Sequence, residues 1–162
     1  MGTGTSVRTK LRKAIKYQLE QITTGNSYRK TINRVYDPPK NMEDMVEYPC
    51  VNLMWDREFD TEERKAGNRA MHDIHMTCRI EVFLHEHSDT IVDEIDKVLA
   101  DVQEKFGVNY YITGEDDERT AFVCYYIGSE PFGTDKTKPN CGISIELSVH
   151  YRILIGDPTV MG

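Results

Sequence analysis

Five side chains able to hold a metal or move a proton fall within sixteen residues: His72, His75, Cys78, His85 and His87, with Glu86 between the last two. Nitrogen and sulfur donors of this kind suit zinc. The residues around them argue otherwise, because Ile74, Met76, Cys78, Ile80, Val82 and Leu84 alternate with His75, Thr77, Arg79, Glu81, Phe83 and His85 in a period of two. That pattern predicts a strand, in which His75 and Cys78 point to opposite faces and only His75 and His85 share a side, some ten residues apart. Surface histidines near the two ends of a strand are therefore expected, and no metal site.

Other chemistry finds no better footing. Cys50, Cys78, Cys124 and Cys141 form no Cys-x-x-Cys pair, and none stands beside a histidine that would lower its pKa, so four small buried hydrophobes are expected rather than zinc ligands, nucleophiles or disulfides. Residues 133–138 (GTDKTK) lack the second glycine and the following helix of a phosphate loop. There is no Gly-x-Ser-x-Gly elbow. Carboxylates such as Asp116 and Asp117 sit in a turn, where solvation keeps a carboxyl acidic. The expectation is a protein with no catalytic residue, no metal and no cofactor, and hence not an enzyme.

The elements that would position any site can be read from periodicity. Val7, Leu11, Ala14, Ile15, Leu19 and Ile22 recur at helical steps behind Ser6, an N-cap residue, with Gly25 closing the helix. Residues 28–36 alternate weakly and stop at Pro38 and Pro39. A strand is expected over 48–55, followed by a charged loop over 56–68 that has no apolar period. After the alternating strand, a second helix opens at Ser88 or Asp89 and runs through Ile91, Ile95, Val98, Val102 and Phe106 to a stop at Gly107. A hairpin with an acidic tip follows around 110–127, then a second long loop over 128–141. The last strand carries Ile143, Ile145, Leu147, Val149 and Tyr151 on one face and ends at residues 156–158. This order predicts an α+β fold in a single domain over residues 1–162, with a largely antiparallel or mixed sheet and two main helices on one face. Residues 1–5 are expected to fray. Arg79 and Glu81 on one long strand, and Glu146 and Arg152 on the last, predict that these two strands are neighbours.

Composition narrows the class of partner. The 162 residues carry a net charge of -7 with a pI near 5.2, which opposes general attraction to nucleic acid. No apolar run approaches the roughly 20 residues of a membrane span, and the first residues lack a signal peptide's apolar stretch, so cytoplasmic synthesis is expected. Within this acidic chain the first helix is basic. Arg8, Lys10, Arg12, Lys13 and Lys16 face Glu20 alone, a net of +4, whereas the second helix carries Asp89, Asp93, Glu94, Asp96, Asp101 and Glu104 against Lys97 and Lys105, a net of -4. Opposite patches on one small protein favour head-to-tail association of copies. Arg8, Arg12, Lys13 and Lys16 on one side, and Asp93, Asp96 and Glu104 on the other, are the candidate subunit interface.

The order of parts resembles the tail-terminator (tail-completion) proteins of long-tailed bacteriophages. The resemblance is carried by the basic opening helix over 7–22, the strand and extended segment over 48–68, and residues 79–83 (RIEVF) leading into 89–99 (DTIVDEIDKVL). The closing strand over 142–152 (GISIELSVHYR) completes it. It implies a structural virion protein of the neck: a ring of about six copies that caps the tail tube, ends its polymerisation and offers a docking surface to the head connector. Its partners would be other copies of itself, the tail-tube protein and a head-completion or connector protein. DNA would pass through the hole without specific binding, past acidic residues that repel phosphate. Candidate lumen or docking residues are Glu58, Asp60, Glu62 and Glu63 in one segment, Glu115, Asp116, Asp117 and Glu118 in the other, and Phe132. Localisation would be the virion, with the host cytoplasm during assembly. Two other readings stand beside it. One is a different neck or head-completion protein, distinguished by its docking partner. The other is a small cytoplasmic enzyme or ligand-binding domain with polar groups gathered around His75, His85 and His150.

Overall fold

Ser6 sets the start of the first helix. Its hydroxyl accepts the Thr9 amide at 3.2 Å, and α1 runs Val7–Glu20 behind it. Val7, Leu11, Ala14, Ile15 and Leu19 are buried along one stripe. Gln21 closes the helix by donating to the Tyr17 carbonyl, and Thr24–Asn26 forms a single 3-10 turn. The second helix, α2 (Ile91–Gly107), ends at the expected glycine and buries Ile91, Ile95, Val98, Val102 and Phe106. The computed structural model describes residues 4–66, 69–85, 90–107, 112–115, 119–121, 123–133, 141–154 and 157–161. Among them no helix is long and apolar enough to cross a membrane.

Between and after the helices lie β1 (Arg34–Tyr36), β2 (Cys50–Ala66), β3 (Arg69–Leu84), β4 (Ile112–Thr113), β5 (Arg119–Ala121), β6 (Val123–Phe132), β7 (Cys141–Leu154) and β8 (Asp157–Met161). The main sheet has the order β1-β2-β3-β7-β6, with β8 added to β7; β4 and β5 form a separate hairpin. Only β1 pairs in parallel, against β2, so the sheet is mixed. The fold is the expected α+β single domain. Register explains the core: Ile80 lies between Leu53 and Ile145, Val82 between Val51 and Ile143, and Cys78 opposite Leu147, all pointing to the face that α1 and α2 cover. As the charge pattern predicted, β3 and β7 are neighbours, with Arg79 opposite Glu146 and Arg152 opposite Asp73.

Helix α1 stops at Gln21, before the expected Gly25, and three strand boundaries also differ from the sequence reading. The segment 56–68 is not a loop as far as Ala66; it continues β2, because β3 pairs with it from Arg69 onward, through two register shifts, and backbone pairing needs no apolar period. Its many charges suit an outer strand, since β1 covers only Cys50, Val51 and Asn52 of it. The expected loop over 128–141 likewise starts later. Gly128, Ser129, Glu130, Pro131 and Phe132 extend β6 beyond a bulge at Ile127, while residues 134–140 lie outside the described residues. Finally, the chain does not stop pairing at 156–158, since Asp157 begins β8, and Pro158 is tolerated there on a strand with a single neighbour.

The opposite face of the sheet is mostly polar, except where residues 37–49 fold over it. Tyr36, Met45, Cys50 and Phe83 form a second small core there, with Tyr48 and Phe132 packed against it. Asn52, 5% exposed, holds this strap down: its amide donates to the Lys40 carbonyl at 2.9 Å and its oxygen accepts the Lys40 amide at 3.0 Å. Asn33 adds a bond from its side chain to the Tyr48 carbonyl.

All four cysteines are buried thiols held in no disulfide, as the expectation of small hydrophobes requires. Burial raises every thiol, Cys50 to about 11 and Cys124 to about 12, with Cys78 well above the ordinary range. Titration of the native protein with a thiol-specific disulfide reagent at neutral pH is expected to detect none of the four promptly, and all four after denaturation. Rapid reaction of even one in the native state would contradict this burial.

Candidate functional site

The cations of α1 are partly engaged within the chain. Arg12 donates to Asp37 at 2.5 Å and ties the helix to the end of β1, and Lys16 lies 3.4 Å from Glu20. Asp37 is nearly buried, whereas the Arg12 side chain keeps 36% of its exposure, so this pair is anchored at one end only. Arg8 and Lys13 are exposed. Among the described residues Lys13 has no ion-pair partner.

The acidic helix is compensated more thoroughly than its sequence suggests. Asp101, read from sequence as a member of the outer face, is completely buried. One carboxylate oxygen accepts the Arg29 amide at 3.0 Å and the Arg29 guanidinium at 2.9 Å, and the other accepts the Lys30 amide at 2.8 Å. Its position three residues beyond Val98 and one before Val102, at the margin of the apolar stripe, was the signal for this role. Arg29 also bonds Glu104 at 2.9 Å, Lys30 pairs with Glu94, and Lys97 with Glu94 at 2.8 Å. Lys105 sits over the Tyr28 ring, where burial lowers its pKa. Glu104 is therefore tied within the chain. Asp93 and Asp96 are exposed, with no ion pair among the described residues.

The candidate lumen and docking residues separate into three groups. Glu58, Asp60, Glu62 and Glu63 fall on β2, at the register positions of Met76, Ile74, Asp73 and His72. Glu115 is exposed in the turn after β4, and Asp116, Asp117 and Glu118 lie outside the described residues. Phe132 packs edge-to-face on Phe83 with ring centroids 5.3 Å apart, so it is half-buried against the second core.

The polar sheet face gathers two of the three histidines singled out from sequence. His75 on β3 and His150 on β7 are register partners with ring centroids 3.5 Å apart, and Tyr125 on β6 flanks His150 at 5.7 Å. Sequence spacing alone did not reveal this pair, because it forms only through the β3–β7 register. Burial, and then the neighbouring His75, lower the His150 pKa, while Asp73 opposes them. His85 is elsewhere: ten residues along β3, about 33 Å at about 3.3 Å per residue, it stacks on Tyr48 at 5.0 Å. There it lines a cleft of about 360 Å³ with Lys30, Val46, Pro49, Leu84 and Ile91. Farther along the polar face Arg79 lies 3.2 Å from Asp56 and 3.9 Å from Glu81, whose pKa burial raises against the pull of Arg79.

These arrangements can bind and orient charged or apolar surfaces. No three His, Cys, Asp or Glu side chains among the described residues converge as a metal centre. No protein-family pattern matches the chain, and no curated protein matches it in sequence.

Proposed function

We propose that the chain is a structural protein of the bacteriophage neck that assembles head-to-tail into a ring, caps the tail tube, ends its polymerisation and presents a docking surface to the head connector. The observation that carries this reading is the charge left exposed on the two helices: Lys13 on α1, and Asp93 and Asp96 on α2, with no ion pair among the described residues. Such groups can be matched by a neighbouring copy, whereas Arg12, Lys16 and Glu104 already have partners in their own chain. The order of parts that carries the resemblance adds support, since both helices cover one face of a mixed sheet. The second core and its strap leave a cleft at one end of the sheet suited to a partner's side chain.

Sedimentation of the intact protein, alone and with purified tail tubes, tests the reading. A closed multimer is expected that weakens with added salt, and Lys13→Glu is expected to disfavour it, with partial recovery on adding Asp93→Lys. Solitary particles at every concentration and ionic strength, even beside tube ends, would overturn it. Multimers that bind portal rings but not tubes would favour another neck or head-completion protein.

A further inference from the structure

We propose that the end of the β2–β3 hairpin of one copy docks into an acidic recess on the polar sheet face of the next copy, as a second contact in the head-to-tail association proposed above, on which it rests. The recess is a cavity of about 250 Å³ lined by Arg79 of β3, Ser144 and Glu146 of β7, and Gly128, Ser129 and Glu130 of β6. Register explains the opening. Arg79, Glu146 and Gly128 form one cross-strand row, and glycine leaves the β6 end of that row without a side chain. The Arg79 guanidinium is engaged elsewhere, 3.2 Å from Asp56 and 3.9 Å from Glu81, so Glu130 and Glu146 stay exposed with no ion pair among the described residues. Asp56, Glu81, Glu130 and Glu146 against Arg79 alone leave a net of -3. The recess also holds an unanswered donor, because Arg79 Nε is buried with no hydrogen-bond partner among the described residues.

The far end of the same sheet carries the opposite sign. Residues 64–70 (RKAGNRA) hold Arg64, Lys65 and Arg69 and no carboxylate, a net of +3. The last pairs of the hairpin, Lys65 with Ala70 and Ala66 with Arg69, lie beyond the final β3–β7 pair of Met71 with Leu154, so the hairpin extends past β7. A hairpin end supplies backbone carbonyls as well as its cations, which matches both the surplus carboxylates and the Arg79 N–H. It cannot reach the recess of its own chain, because nine residues of β3 separate Ala70 from Arg79, about 30 Å at about 3.3 Å per residue. The contact therefore joins different surfaces of two copies, the heterologous kind that builds rings.

Zero-length carbodiimide cross-linking of the intact protein, at concentrations where sedimentation shows multimers, tests this contact. The expected product is an amide between Lys65 Nζ and the carboxylate of Glu130 or Glu146, identified by mass spectrometry of the digest; the separation within one chain makes it intermolecular. Lys65→Glu should weaken multimer formation about tenfold, and adding Glu146→Lys should restore part of the loss. Multimers that yield no cross-link from Lys65 to either carboxylate, or association unchanged in Lys65→Glu, would overturn the contact and leave the neck reading standing. Solitary particles at every concentration and ionic strength would overturn both. Should Lys65→Glu fail to fold by circular dichroism, cross-linking of the wild-type protein decides alone.

Discussion

Gly142→Ala should unfold or severely destabilise the protein. Gly142 lies on β7 between Phe83 of β3 and Phe132 of β6, and those two rings meet across it. A Cβ built there would stand 1.8 Å from the Val82 carbonyl oxygen and 2.9 Å from Phe132 Cζ. The ring can rotate away; the Val82 carbonyl belongs to β3, which is paired on both sides and cannot retreat without breaking register. Overpacking of this kind costs about 3 kcal/mol or more, which for a chain of this size lowers Tm by about 6–12 °C. Gly128→Ala is the control, because its Cβ would meet nothing within 4 Å, and its stability should stay within about 0.5 kcal/mol of wild type. Thermal or urea unfolding of the two variants side by side measures the difference. Equal stabilities would refute the close approach at residue 142.

The second large effect is expected at Asp101. Replacing it by alanine removes the acceptor for two backbone amides, those of Arg29 and Lys30, and for the Arg29 guanidinium. Each amide left without a partner costs about 1–3 kcal/mol, so Asp101→Ala should lose about 3 kcal/mol or more. Arg29→Ala should lose far less, because its side chain is half-exposed and surface ion pairs contribute little. Urea unfolding separates a buried acceptor from a surface charge by this asymmetry. Similar losses in both variants would mean that the ion pair, rather than the amide bonds, carries the connection.

Helix α1 was legible because its apolar steps and its serine cap agree, although it stops at Gln21 rather than Gly25, and β3 and β7 were legible because their inward residues alternate without a break. The pairing of β3 with β7 was legible from opposite charges on their outer faces. The far half of β2 was not, since residues 56–66 show no alternation and are strand only because β3 lies alongside. β8 was missed for a related reason: Pro158 argues against a strand, but a strand with one neighbour can spare an amide.

For the candidate site, total charge was legible and its distribution was not. The second helix, read from Asp89 onward, carries a net of -4 in sequence, yet Arg29 and Lys30, more than sixty residues away, neutralise Glu94, Asp101 and Glu104 once the chain folds. The exposed remainder, Lys13 against Asp93 and Asp96, is smaller than the +4 and -4 of the two helices. The His75–His150 pair has the same origin, because a contact between strands seventy-five residues apart has no short-range signal.

Asn52 gives the molecule two regions of unequal tenacity. By offering a donor and an acceptor to Lys40, one side chain imitates the neighbouring strand that β2 lacks beyond β1, and it pins residues 37–49 with two bonds and a handful of buried rings. The helix-covered layer is far broader. Local opening should begin at this strap, peeling it from Phe83 while both helices stay docked, so a docking partner at that end would meet a hinged flap over a rigid floor.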